Sequence, residues 1–287
     1  MGKFHDLMVG DLQIRGYTAG TCEIYLHAVK NFVRFFHRPP DTLTLEHINQ
    51  YQLHLTRDRK VSWSHFNVVV CALRFFYKVS LQKDWEVKRI PYRKTGRKLP
   101  EILSQEEIVR FFTSVPNLKH RVILMTMYAA GVRVSEALHL RPSDIDSSRM
   151  VIRIEQGKGR KDRYTMLSPV LLQILREYWK VARPKTWLFP ARHQDKPLSR
   201  KSIQNVVRKA RAAAGIGKAV RSHSLRHAFA TYLMEQGVNI RVIQTLLGHQ
   251  SLRTTELYTH VSKTHLQETK SPLDQLKGLP LPVPPKK

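Results

Sequence analysis

The stretch Ser222-His-Ser-Leu-Arg-His-Ala-Phe-Ala230 sets His223, Arg226 and His227 at i, i+3 and i+4. That spacing puts all three side chains on one face of a helix's first turn. Two imidazoles and a guanidinium at the positive end of a helix make an anion site. Further groups of the same character recur at turns: Arg133 and Glu136 in Gly131-Val-Arg-Val-Ser-Glu-Ala-Leu138, Lys158 between Gly157 and Gly159, and His249 after Leu247-Gly248. The run Thr254-Thr255-Glu-Leu-Tyr258-Thr-His260 follows. Together these residues are complementary to a phosphate and bring a candidate nucleophile with them.

Several other chemistries lack their parts. Gly157-Lys158-Gly159 has neither the upstream glycine nor the following Ser/Thr of a phosphate-binding P-loop. His223 and His227 have the spacing of two zinc ligands, but no Glu follows the first, and Arg226 between them repels a dication. Acidic residues form no cluster of the kind a metal-dependent nuclease needs, so no metal is expected.

The elements that must position these groups are mainly helical. Apolar residues at helical spacing predict amphipathic helices over 18–36 (Cys22, Tyr25, Leu26, Val29, Phe32, Val33, Phe36) and 62–79 (Phe66, Val69, Val70, Leu73, Phe76, Tyr77). Shorter helices over 4–15 and 45–57 complete a four-helix unit, broken at Pro39-Pro40-Asp41. Ser104 with Glu107 three positions on is a capping box that starts a second helical series running to about Ala130. After Pro142-Ser143-Asp144 the pattern turns to strands over 150–154 and 164–167, joined by a hairpin at Gly157-Lys158-Gly159. Helices follow over 169–181, 199–214, 224–236 and 240–247. The sequence therefore predicts a mainly α chain: an N-terminal four-helix domain over 1–87, a linker over 88–100, an α-rich domain with a small antiparallel sheet over 101–270, and a proline-rich tail over 271–287.

The charge suits a polyanion. The 287 residues hold 49 Lys+Arg against 22 Asp+Glu, a net +27. Residues 1–98 account for 17 − 8 = +9 and the remainder for 32 − 14 = +18, so both halves are expected to face the same partner. The linker adds Lys88, Arg89, Arg93, Lys94, Arg97 and Lys98 as phosphate contacts. Arg160 and Lys161, beside Lys158, are expected to do the same. No stretch approaches the ~20 apolar residues of a membrane span, and no apolar leader opens the chain, so a cytoplasmic, nucleoid-associated protein with no membrane partner is expected. Cys22 and Cys71 form no CxxC pair and read as core thiols.

Taken in order, the helical N-terminal domain, the basic linker and the motifs GVRVSEAL, QGKGRKDR, HSLRHAFATYL, LLGH and TTELYTHV resemble the tyrosine recombinases, the phage integrase family, along essentially the whole chain. The likeness is nearest to the Xer, integron and transposon-associated branches. It implies a SAM-like core-DNA-binding N-terminal domain and a catalytic domain that cleaves and rejoins DNA through a 3′-phosphotyrosyl intermediate. Because the phosphoryl bond energy is kept, no cofactor, metal or ATP is implied.

By that resemblance Tyr258 is the nucleophile, Arg133 and Arg226 hold the scissile phosphate, and Lys158 gives a proton to the leaving 5′-oxygen. His223 matches a position that takes the tyrosine proton or binds the phosphate, and His249 a phosphate-binding position. Glu136 matches an orienting acid, and His227 braces the site. The family's extra integron insertion has no surplus segment to match it between 159 and 222, so an integron-type substrate is not expected. Double-stranded recombination sites are the implied partner, with a homotetramer on two sites, a dimer on one, and a helix over 262–276 exchanged between subunits. Integration, excision, dimer resolution and transposition all use this chemistry. Two alternatives stay open: a type IB topoisomerase with the same active site, and a noncatalytic DNA-binding protein that uses 223–247 as a helix-turn-helix.

Overall fold

The computed structural model describes residues 2–83, 90–92, 101–155, 162–192, 195–249 and 251–255. They fall into two units, Met1–Arg97 and Lys98–Lys287. The predicted fold class holds: the chain is mostly helical with one small three-stranded antiparallel sheet.

The first unit contains α1 (Gly2–Ile14), α2 (Ala19–Phe36), α3 (Leu45–Arg57) and α4 (Trp63–Phe75). The Thr18 hydroxyl caps α2 by accepting from the Thr21 N–H, and His37 ends the helix in the left-handed conformation, its N–H on the Val33 carbonyl. Ser62 caps α4 in the same way through the His65 N–H. The helix predicted to run to 79 instead widens into a π-helical turn over Phe76–Ser80. That turn carries Tyr77 inward, where its hydroxyl donates toward the carbonyls of Pro40 (3.0 Å) and Leu43 (3.3 Å), pinning the connection between α2 and α3. The core centres on Phe32, fully buried with Phe36, Tyr51 and Tyr77 packed edge-on around it. Removing such a ring costs about 3–5 kcal/mol. Cys22 and Cys71 are free and half-buried, Cys22 packed against this core.

The second unit opens with α5 (Gln105–Thr113). Its capping box is formed: the Ser104 N–H donates to Glu107 Oε2 (2.7 Å) and the Glu107 N–H to the Ser104 hydroxyl (3.2 Å). Next comes α6 (Leu118–Ala130), buried on nearly every side through Val122, Ile123, Leu124, Thr126, Met127 and Ala130. It stops at Gly131 (φ +61°) and gives way to the short α7 (Val134–Leu138). The sheet runs β1 (Ile145–Asp146), β2 (Val151–Ile154), β3 (Arg163–Met166) in that order, all antiparallel, with Ile152 opposite Thr165 and Ile154 opposite Arg163. Four helices follow: α8 (Pro169–Ala182), α9 (Arg200–Ala213), α10 (Ser222–Glu235) and α11 (Ile240–Leu247). A further turn of helix, α12, spans Leu252–Thr255. The β3 side chain Thr165 is buried and donates to the Ala130 carbonyl (2.8 Å), fixing the sheet to the end of α6 just before the Gly131 turn.

Candidate active site

Gly131 begins the site. A Cβ there would stand 2.4 Å from the Phe229 ring of α10, and its φ of +61° disfavours any side chain, so only glycine lets the chain turn this close to α10. The turn delivers Arg133 to the start of α7. Glu136, three residues on, folds back on it: one carboxylate oxygen accepts the Arg133 N–H (2.7 Å), the other its Nη1 (2.7 Å). The helix start and the orientation of the guanidinium are thus set by one carboxylate.

A second arginine reaches the same carboxylate from the sheet. Arg163, the first residue of β3, places Nη1 2.9 Å from Glu136 Oε1 and Nη2 2.8 Å from Oε2, a bidentate pair. Its Nε donates to the Leu246 carbonyl (3.0 Å). Arg226 arrives from α10 with 1 % of its surface exposed and donates to the carbonyls of Gly131 (2.6 Å) and Leu247, its Nη1 3.9 Å from Glu136 Oε2. Arg133 Nη2 lies 3.5 Å from the Gly248 carbonyl. Three guanidinium groups therefore meet one carboxylate and the last carbonyls of α11. These are the acceptors a helix leaves without partners, at its negative end.

The carboxylate offsets one of three positive charges, and a helix end offsets about half of another. More than one positive charge in this buried cluster is left for an incoming anion. Burial opposes ionisation of Glu136, but the bonds from Arg163 and Arg133 outweigh it and hold the carboxyl at about 2. It carries no proton to give at neutral pH and acts as a fixed negative pivot.

The histidines line the same cluster. His223 and His227, one turn apart on α10, meet edge-on with ring centroids 5.1 Å apart. His249 follows Gly248, its Nδ1 2.9 Å from the Thr255 hydroxyl. Burial, then the neighbouring Arg226 and Arg133, push His223 below the ordinary histidine value. Burial and His223 push His227 down to about 4, and burial with Arg226 pushes His249 down to about 3. His227 and His249 are therefore neutral imidazoles at pH 7.

Six of the residues singled out in the sequence, Arg133, Glu136, His223, Arg226, His227 and His249, are thus brought into one cluster. Lys158, Arg160, Lys161, Tyr258 and the linker cations Lys88, Arg89, Arg93, Lys94, Arg97 and Lys98 lie outside the described residues, as does the segment over 262–276. Sequence reasoning missed Arg163. No local pattern points to it: alternation groups apolar Tyr164 and Met166 on one face of the strand, yet these are the exposed pair, and Arg163 lies inward with Thr165. α10 turns Leu225, Arg226, Ala228, Phe229 and Ala230 inward, so this helix serves the core and the arginine cluster. Among the described residues no group of three His, Cys, Asp or Glu side chains stands together as a metal site, and no helix is long and apolar enough to cross a membrane.

Comparison with known proteins adds the following. A sequence model of the phage integrase family matches residues 101–265, and one of the phage integrase N-terminal SAM-like domain matches residues 4–87. The chain is similar to a putative integrase/recombinase, y4qK, of Sinorhizobium fredii, at 46% identity over 286 residues, covering 99% of this chain and 92% of the relative. It is also similar to the tyrosine recombinase XerA of Pyrococcus horikoshii, at 32% identity over 90% of this chain and 88% of that one. Among solved structures it shares the fold of the XerH site-specific recombinase bound to palindromic difH substrate in a post-cleavage complex, with TM-score 0.72 and 22% identity over 93% of this chain and 84% of the other.

Proposed function

The chain belongs to the phage integrase family, the tyrosine recombinases, and from that premise we propose that it acts on duplex DNA with Arg133, Lys158, His223, Arg226, His249 and Tyr258 as one active centre. As an enzyme it is a site-specific recombinase. In the proposed reaction the Tyr258 oxygen attacks the scissile phosphorus, the bond to the 5′-oxygen breaks, and the DNA 3′-phosphate is held on the tyrosine. His223, held below the ordinary histidine value by burial and then by Arg226 and Arg133, takes the phenolic proton on its ring lone pair, and Lys158 gives one to the leaving 5′-oxygen. A 5′-hydroxyl from a second strand reverses the steps and rejoins the backbone.

The observation that carries this reading is the surplus of positive charge around the Glu136 carboxylate. Phosphoryl transfer gathers negative charge on the nonbridging oxygens, and arginine forks that never lose their protons are suited to that charge. Glu136 and His227 hold the forks and the imidazole in place. The net +27 supports a long DNA track over both units. On the second unit, exposed Arg200, Lys201, Arg208 and Lys209 of α9, a helix with no acidic residue, extend that track. The linker cations over 88–98, with Arg160 and Lys161, belong to it in this reading. So do a dimer on one site, a tetramer on two, and tail exchange through 262–276.

The test is covalent capture. Nicked duplexes that lose a short fragment on cleavage should trap a denaturation-resistant protein–DNA adduct with the wild-type chain and none with Tyr258→Phe. Absence of adduct from any duplex pool would overturn the enzymatic assignment of these residues.

A further inference from the structure

The site contains a cation that the proposed chemistry does not use. Arg163 is buried, with 10% of its side chain exposed, yet each of its three nitrogens is engaged inside the protein: two on Glu136 and one on the Leu246 carbonyl. It therefore has no nitrogen turned toward a substrate. Arg133 is held less completely, by one short bond to Glu136 and one 3.5 Å contact to the Gly248 carbonyl, and its side chain is more exposed.

We infer that Arg163 is a positioning residue for strand cleavage: it locks the Glu136 carboxylate so that Arg133 faces the scissile phosphate, and it ties β3 to the end of α11 from which His249 leaves. The inference rests on the function proposed above. Three observations carry it. First, the bidentate fork fixes the carboxylate plane, which a single ammonium cannot do. With both oxygens of Glu136 aligned by Arg163, the same oxygens accept the Arg133 N–H and Nη1. Second, the Arg163 side chain runs against Gly248. A Cβ at 248 would stand 2.7 Å from Arg163 Cδ and 2.9 Å from Nε, so the glycine leaves room for this arginine as well as adopting φ +63°. Third, Arg163 opens β3 and lies five residues after Lys158 in the sequence.

The experiment compares Arg163→Met, Arg163→Lys and the wild-type chain. The probe is a pool of nicked duplexes with a randomised core, enriched beforehand for covalent adducts with the wild-type chain. Adduct formation is followed in single turnover at saturating DNA between about pH 5.5 and 8, binding by gel shift, and folding by thermal melting. A misplacement on the scale of 1 Å costs about 100-fold in rate. The expected result for Arg163→Met is therefore a fall of about 100-fold in cleavage, with DNA affinity held within about threefold and Arg163→Lys intermediate. The deficit should widen toward the acid end of that range, because burial opposes ionisation of Glu136, and Arg133 and Arg226 are left to hold it without its principal partner, whereas the wild-type carboxylate stays ionised. Loss of stability alone would not produce that pH dependence in a variant that is folded at the assay temperature. If Arg163→Met does not fold, Arg163→Lys and Gly248→Ala, which crowds the same side chain, carry the test, each expected to lose cleavage by more than tenfold with DNA affinity held within about threefold. A fall of less than tenfold, or one confined to affinity and constant with pH, overturns the inference. Failure of the wild-type chain to form any adduct overturns the proposed function and this inference with it. A cleaving wild type beside an equally active Arg163→Met overturns the inference alone.

Discussion

Replacing Glu136 with glutamine keeps the shape of the side chain and removes its charge. The wild-type carboxylate accepts four hydrogen bonds, one from the Arg133 backbone, one from the Arg133 guanidinium and two from Arg163. An amide keeps one acceptor and turns an NH2 group toward the donors on the other side. The cluster of Arg133, Arg163 and Arg226 goes from a surplus of 3 − 1 = 2 charges to one of 3. Breaking a buried ion pair by removing one partner costs about 3–5 kcal/mol. A domain of this size loses about 2–4 °C of melting temperature per kcal/mol, which gives a fall of about 6–20 °C. The wild-type advantage has a defined pH window. Glu136 is held at about 2 in the folded chain against an ordinary value of 4.5, so its stabilisation is complete above about 4.5 and fades as pH falls toward 2. Scanning calorimetry of both proteins between pH 3 and 8 checks this. A melting temperature for Glu136→Gln within 2 °C of wild type at pH 7 would refute the view that this carboxylate is the pivot of the site.

Three further outcomes follow. Gly131→Ala forces a left-handed conformation on a side chain that meets Phe229 at 2.4 Å, and should cost about 2–5 kcal/mol in urea unfolding, the sum of backbone strain and overpacking. His227 and His249 are held at about 4 and about 3 against an ordinary 6.5, so below pH 6.5 the unfolded chain takes up protons that the folded chain refuses. Stability should fall with decreasing pH from about 6.5 downward, by up to about 1.4 kcal/mol per unit for each, and His249→Asn should make that slope shallower in thermal melts of the DNA-free protein. DNA affinity measured by fluorescence anisotropy should drop about 10³- to 10⁵-fold between 50 and 200 mM salt if six to ten phosphates are contacted, and a flat salt response would refute a track along the duplex.

Much of the architecture was legible because long helices advertise themselves. The apolar period over 18–36, the prolines at 39 and 40 and the Ser104–Glu107 box are local signals, and local interactions set those elements. The site was legible in part for the same reason, since His223, Arg226 and His227 are neighbours on one helical turn. What escaped depends on distant contacts. The two-residue β1 has no pattern of its own and exists only because Ile145 and Asp146 pair with β2. The π-helical turn at 76–80 accompanies Tyr77 reaching carbonyls 34 and 37 residues earlier. Arg163 looked like one more basic residue of a charged hairpin, and its partners, Glu136 and Leu246, lie 27 residues before it and 83 after it. The LLGH glycine was equally opaque, since nothing in the sequence shows that an arginine from another strand passes beside it.

The central claim is that Tyr258 takes a DNA 3′-phosphate in a centre whose arginines are held by Glu136. The most direct measurement is mass spectrometry of the nuclease- and protease-digested covalent adduct from a nicked duplex. The expected result is a single modified peptide, its nucleotide joined through a 3′-phosphate to Tyr258, and a free 5′-hydroxyl on the released strand. A nucleotide on any other residue, or one joined through a 5′-phosphate, would contradict it.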